Sequence, residues 1–180
     1  MLVDLRTWYL ELLEPSQFRA AFSSNSNLTV VRAEIPCPEL NRFLYTSVGG
    51  DWYWIDRLSW SYERWLKYLD RPELQTWVAY LSGTPAGYVE LEAQSGNNVE
   101  IVYFGLLRQF IGQGIGRHLL SVGVQKAWAM EAQRVWVHTG SLDGDHALAN
   151  YQARGFQLYK QKIHQEELLE KPIEPWVMPI

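Results

Sequence analysis

Residues 107–120 read LRQFIGQGIGRHLL. Gly112, Gly114 and Gly116 fall within this stretch and run straight into a segment whose apolar residues return at helical spacing. Glycine is the weakest helix former after proline, so placing three where a helix must begin needs a reason. The first backbone N–H groups of a helix have no partner within it, and the helix dipole puts about half a positive charge at that end. Glycines there let the backbone come close to a bound anion with no Cβ in the way. The plainer reading is a tight turn using glycine only for positive φ, but three glycines between a strand and a helix favour an anion site. Two nucleotide loops are excluded by spacing. A P-loop would end in Gly-Lys-Ser/Thr, where this chain has Gly116-Arg117-His118. A dinucleotide fingerprint needs G-x-G-x-x-G, and here the third glycine comes one position early.

Working outward, NVEIVYFGLL at 98–107 predicts a strand leading into the turn, with Gly105 marking a bulge or a close approach. Residues 114–131 predict the following helix, its core face formed by Ile115, Leu119, Val122 and Met130. RVWVHT (134–139) predicts a strand, HALANYQAR (146–154) a helix and FQLYKQKI (156–163) a last strand. Upstream, QTWVAYLS and AGYVELEA predict a hairpin around Gly83, Thr84 and Pro85. LTVVRAEI (28–35) predicts a strand, PELNRFLY (38–45) and SYERWLKYLD (61–70) helices, and GGDWYWIDRLSW (49–60) an aromatic loop. LRTWYLELL (5–13) suits an edge strand or a short helix, and AAFSSNSN (20–27) a loop. The order predicts a mixed α/β, or α+β, domain with helices on a mainly antiparallel sheet and one parallel crossover.

Composition fits one domain spanning 1–180, with an N-terminal extension (1–27) and a C-terminal tail (166–180). Of 180 residues, 47% are hydrophobic and 20% charged, as in ordinary globular proteins. The net charge of −4 is interspersed, so no basic face points to nucleic acid. The single cysteine, Cys37, excludes an intrachain disulfide framework and any multi-cysteine metal site. With no signal-like N-terminus and no long apolar run, a cytoplasmic protein without a membrane partner is expected, monomeric or homodimeric. Nine tryptophans and ten tyrosines exceed the needs of a core this size and suggest that some line a pocket.

The turn resembles the acetyl-coenzyme A loop of the GNAT acetyltransferases, whose pattern Q/R-x-x-G-x-G/A falls on Ile111 to Gly116. Ile111 departs from it, standing where the family usually carries a polar side chain. Three further features are similar. NVEIVYFGLL looks like the family's fourth strand, and Glu100 keeps the spacing of the carboxylate that precedes the loop in one branch of the family. Gly105 falls near where that family's strands part. ALANYQARGF matches A-x-x-x-Y-x-x-x-G-F at Ala147, Tyr151, Gly155 and Phe156, with Gly144 where an asparagine is common. The resemblance implies a GNAT fold, splayed between its fourth and fifth core strands. It also implies transfer of an acetyl group from acetyl-CoA to a primary amine of a small molecule or peptide, with no metal. The rival reading is a non-catalytic domain that binds acyl-CoA as a sensor or interaction module.

Cofactor contacts are then expected from Phe104, Leu106, Leu107, Gly112, Gln113, Gly114, Ile115, Gly116, Arg117 and Asn150. An alkyl ammonium has a pKa near 10.4, so transfer at neutral pH needs a base. Glu100 is the first candidate, against the alternative of an idle strand carboxylate; Glu90, Glu92 and His138 stand in reserve. Tyr151 is the candidate acid for the departing thiolate, against a purely packing role. Trp52 and Trp54 fit either an acceptor wall, with Asp51 or Asp56 meeting a cation, or a small aromatic core under a long loop.

Overall fold

The computed structural model describes residues 2–144 and 146–168. Its centre is a seven-stranded sheet of β1 (Leu2–Leu12), β2 (Leu28–Ala33), β3 (Leu74–Leu81), β4 (Thr84–Gln94), β5 (Asn98–Leu106), β6 (Arg134–Gly140) and β7 (Gln157–Glu167). The order across the sheet is β2-β3-β4-β5-β6-β1-β7, and every pairing is antiparallel except β5 with β6. Four α-helices among the described residues complete the fold: α1 (Pro38–Gly49), α2 (Tyr62–Leu69), α3 (Ile115–Trp128) and α4 (Ala147–Ala153). This is the mixed α+β arrangement expected from the sequence.

Local chemistry accounts for most boundaries. Pro38 opens α1, where its missing N–H is no loss. Ser61 caps α2 by accepting from the Arg64 amide at 3.3 Å. The β3–β4 hairpin turns on Ser82 and Gly83, with φ of 49° and 82°, the left-handed pair of a type I′ turn. The helix after the glycine turn buries a different stripe from the one expected. Ile115 and Leu119 face the core, but Val122 and Met130 are half-buried, and Leu120, Gly123, Val124 and Ala127 take their places. The small residues decide this, since a Cβ on Gly123 would stand only 3.2 Å from the Val89 methyls of β4.

The main core lies between α3 and the sheet face bearing Val89, Leu91, Val99, Ile101, Val135 and Val137. On the opposite face, Leu44 and Val48 of α1 pack on Val78 and Tyr88, and Tyr45 joins Trp65 and Leu69 of α2 in a second aromatic layer. No helix among the described residues is long and apolar enough to cross a membrane.

The largest difference from the sequence reading is at the N-terminus. β1, expected at most as an edge strand, lies inside the sheet between β6 and β7, with Leu10 and Leu12 completely buried. Residues 2–12 are thus part of the sheet and not an appendage to it. The chain after β1 stays attached: Arg19 N donates to Arg154 O at 2.9 Å, and Ala21 N donates to Ser121 Oγ of α3 at 2.8 Å. The expected C-terminal tail begins within β7, which runs to Glu167, and its residues from 169 onward lie outside the described residues.

Gly155 shows how tight the N-terminal attachment is. Its φ is +98°, and a Cβ there would sit 1.9 Å from the Gln17 carbonyl oxygen. Gly155→Ala should therefore lower unfolding stability by about 2–4 kcal/mol, combining left-handed strain with displacement of a backbone segment. Chemical denaturation of the two proteins checks this.

Candidate active site

β5 and β6 run side by side only from Asn98 and Arg134 to Ile101 and Val137. The next residue of β5, Val102, is an extra residue in its pairing with β4: Glu90 pairs with Tyr103, and Leu91 with Ile101. The bulge thus falls at Val102 and not at Gly105. Gly105 is required for another reason, since a Cβ there would meet the Val48 side chain of α1 at 2.5 Å. Past the bulge β5 stays with β4 and leaves β6. The splay expected between the fourth and fifth core strands is therefore present, counting without β1. Leu107 N donates to Ala86 O at 2.9 Å. Antiparallel alternation then turns the amides of Phe104 and Leu106 away from β4, towards the gap.

A cleft of about 890 Å³ fills this gap. One end is the glycine turn. Gly112 and Gly114 have φ of 84° and 78°, so both are held by left-handed backbone, whereas Gly116 is ordinary helix. A Cβ on Gly116 would lie 3.6 Å from Leu106, which suits a position where the family pattern allows glycine or alanine. Gly114 is the N-cap and offers no side-chain acceptor, so the first amides of α3 have no cap. The Arg117 guanidinium lies 3.3 Å from where a Gly114 Cβ would be, and Arg117 also lines the cleft. Turn geometry and an open, positive helix end coexist here: two glycines serve φ, and the third stands where a Cβ would also fit.

Of the residues expected to contact a cofactor, Phe104, Leu106, Gly112, Gly114, Gly116, Arg117 and Asn150 line the cleft. Leu107 and Ile115 send their side chains into the core, and Gln113 folds back to donate to Gln109 O at 2.8 Å. Ile111 lines the cleft and is half exposed, an apolar contact where the family pattern has a polar one.

Tyr151 of α4 also lines the cleft, its ring edge-on to Phe104 and Phe156. Burial pushes its phenol pKa well up, so the group stays protonated. Across the splay, His138 lines the cleft on β6. Its Nδ1 stands 3.2 Å from Oε1 of the buried Glu100, and this hydrogen bond raises the imidazole pKa above its ordinary value, with Asp143 adding a smaller push. Glu100 itself does not line the cleft; it reaches it through His138. That partnership is invisible in sequence, because it depends on the parallel register that sets Glu100 beside Trp136.

The other reserve carboxylates are occupied. Glu90, 1% exposed, is gripped by Arg57 at 3.0 and 3.1 Å and accepts from Tyr68 Oη at 2.6 Å. It does not line the cleft. Glu92 pairs with Arg71 at 2.7 Å. Arg57 was given no role in the sequence reading, yet its guanidinium lies over the rings of Trp60, Trp65, Tyr68 and Tyr103 at 4.1–5.6 Å. The signal was a lone cation inside WYWIDRLSW, where four tryptophan and tyrosine residues needed something polar to explain it.

The aromatic loop divides between the cleft and the core. Trp52, Tyr53, Trp54 and Asp56 line the cleft, while Trp54 also packs on Tyr45 and Tyr103 at 5.7 and 4.7 Å. Asp51 is taken up by Arg108. No group of three or more potential metal ligands occurs among the described residues.

A sequence model of the acetyltransferase (GNAT) family matches residues 39–156, more than half of the chain. The chain belongs to the acetyltransferase (GNAT) family. No protein of curated function matches it. Among solved structures it is similar to a GCN5-related N-acetyltransferase from Kribbella flavida, at 17% identity and TM-score 0.66, over 91% of this chain and 59% of that one. It thus spans well under two thirds of that relative's length. An aminoglycoside acetyltransferase from an uncultured soil metagenomic sample is similar at 19% identity and TM-score 0.65, over 82% of this chain and all of that one. An IAA acetyltransferase from Bacillus cereus is similar at 25% identity and TM-score 0.53, over 73% of this chain and 79% of that one. The family model starts at residue 39, so β1 and β2 lie outside it.

Proposed function

We propose that the protein, acting as a single domain, transfers the acetyl group of acetyl-CoA to a primary amine. The observation that carries this reading is the meeting of three features in one cleft. These are strands that part after Ile101 and Val137, a helix end opened by Gly112 and Gly114, and a His138–Glu100 pair facing the same space. The residues fit a pantetheine diphosphate: uncapped amides and Arg117 suit the phosphates, and the apolar gap suits the arm. Acetyl-CoA supplies an activated acyl group on a thiol leaving group.

The chain supplies the rest. His138, held at Nδ1 by Glu100, takes a proton from the amine through its other ring nitrogen. The N–H groups of Phe104 and Leu106 face the gap, where they hold a developing oxyanion. Tyr151, kept protonated by burial, gives its proton to the departing sulfur. Trp52, Trp54 and Asp56 form the wall on which the amine rests. Aminoglycosides belong in the first acceptor panel because one structural relative acts on them.

The decisive experiment measures free thiol released from acetyl-CoA across small amines, polyamines, aminoglycosides and peptides. Release that depends on an amine is the expected result. Thermal stabilisation by coenzyme A with no thiol release from any amine would instead support the non-catalytic sensor.

A further inference from the structure

Behind the His138–Glu100 pair runs a line of polar groups that acetyl transfer as described leaves unused. Glu100 Oε1 faces His138, while Glu100 Oε2 accepts from Gln94 Nε2 at 2.7 Å. Gln94 Oε1 in turn accepts from the Trp136 indole N–H at 3.0 Å. An indole N–H can only donate, so it fixes which end of the Gln94 amide is the carbonyl and turns the NH2 group towards Glu100. The donations therefore converge on Glu100, from Trp136 through Gln94 on one oxygen and from His138 on the other. Its members come from three adjacent strands: Gln94 ends β4, Glu100 lies on β5, and Trp136 and His138 lie on β6.

We propose that Gln94 and Trp136 are positioning residues for His138, holding the Glu100 carboxylate so that Oε1 stays on Nδ1 and the other ring nitrogen stays available to the cleft. This rests on the reading of His138 as the base. A carboxylate has two oxygens, and one left without a donor in a buried site turns to find one. Gln94 occupies the second oxygen of Glu100 with a charge-assisted bond, the stronger kind. Leucine at 94 would leave that oxygen without this donor, and glutamate would set a second negative charge against it.

Among the described residues no other neighbour takes over this task. Asp143 has Oδ2 committed to Thr139 Oγ1 at 2.5 Å and Gly140 N at 2.7 Å. Glu92, 3.5 Å from the Gln94 amide, is held by Arg71. Tyr9 of β1 packs on the His138 ring at 5.9 Å, and Lys160 and Lys162 of β7 lie over Tyr9. Arg134 sits over the Trp136 ring at 5.6 Å and bonds Glu11.

The test is an NMR titration of the His138 ring in the full chain, for the parent protein, Gln94→Leu and Trp136→Phe, paired with the pH profile of thiol release. Gln94→Leu should move the His138 midpoint down by about half a unit, because the carboxylate that raises it is no longer held in place. It should also lower kcat about tenfold. Trp136→Phe keeps a ring beside Tyr9 and His138 but frees the Gln94 amide to flip, so it should shift the midpoint less and in the same direction. If Gln94→Leu does not fold, Trp136→Phe decides. A His138 midpoint unmoved in the folded variants overturns the proposal. The titration needs no substrate, so it stands apart from the base assignment: full turnover in His138→Gln would remove that assignment, while the midpoints would still decide whether Gln94 positions the ring.

Discussion

His138→Gln should lower kcat by about two to four orders of magnitude, the usual range for loss of a positioned general base, and leave acetyl-CoA affinity nearly unchanged. The glycine turn and Arg117, at the far end of the cleft, are untouched by this change. The pH dependence follows from the raised imidazole pKa. A base works in its neutral form, so kcat/KM should be low below the raised His138 pKa and climb as pH rises through it. Glu100 is the main cause of that elevation, first through its hydrogen bond and then through its charge. Glu100→Gln should therefore move the acidic limb to lower pH while reducing the plateau, because the ring is no longer fixed in one tautomer. The same linkage sets the direction for stability: a His whose folded pKa is raised adds stability below its unfolded pKa and loses that contribution as pH rises through the folded value. A pH–rate profile of parent and Glu100→Gln, with thiol release as readout, checks both signs. An acidic limb that stays in place would mean that Glu100 does not act on the titrating group.

How far the chain could be read in advance depended on the range of the interactions involved. The turn at 112–116 was legible because positive φ at Gly112 and Gly114 is a local demand that only glycine meets cheaply. The β3–β4 hairpin was legible through Gly83, although its turn is Ser82-Gly83 and the expected turn residues Thr84 and Pro85 belong to β4; the Ser61 cap is likewise a local demand. The position of β1 was not: its partners are β6 and β7, more than a hundred residues away, and nothing within LRTWYLELL distinguishes an inner strand from an edge. The site divides along the same line. The glycine turn lies within one continuous stretch, and its Gly112, Gly114, Gly116 and Arg117 line the cleft. The Glu100–His138 pair is assembled by register, and the two become partners only because β5 and β6 are parallel over a few residues. Glu90 illustrates the cost of reading position without partners. Its alternation with Glu92 on one face of a strand made it a reserve base, whereas the fold has committed it to Arg57.

That commitment carries the largest stability prediction. Glu90→Gln should destabilise the protein by about 3–5 kcal/mol, because it leaves the Arg57 guanidinium charged and buried without its counter-ion. Arg57 is 5% exposed and Glu90 1%, so water does not screen the loss. Burial works against the Arg57 charge, and the charge and hydrogen bonds of Glu90 outweigh that penalty, holding the guanidinium pKa above its usual value. The Tyr68 phenol, raised by burial and then by the Glu90 charge, also keeps its proton and donates it to the carboxylate. Replacing both partners, Arg57→Met with Glu90→Leu, removes the uncompensated charge but strands the Tyr68 hydroxyl. The double variant should therefore lose less than Glu90→Gln alone, with a residual deficit of about 1–3 kcal/mol for the unpaired phenol. Urea unfolding of the three proteins gives the comparison, provided the slopes agree. A double variant as unstable as Glu90→Gln would show that the stacked rings of Trp60, Trp65 and Tyr103 need the cation for its shape and not its charge. Arg57 directly follows Asp56 and closes the loop bearing Trp52 and Trp54, so loosening the pair should also raise acceptor KM more than it lowers kcat.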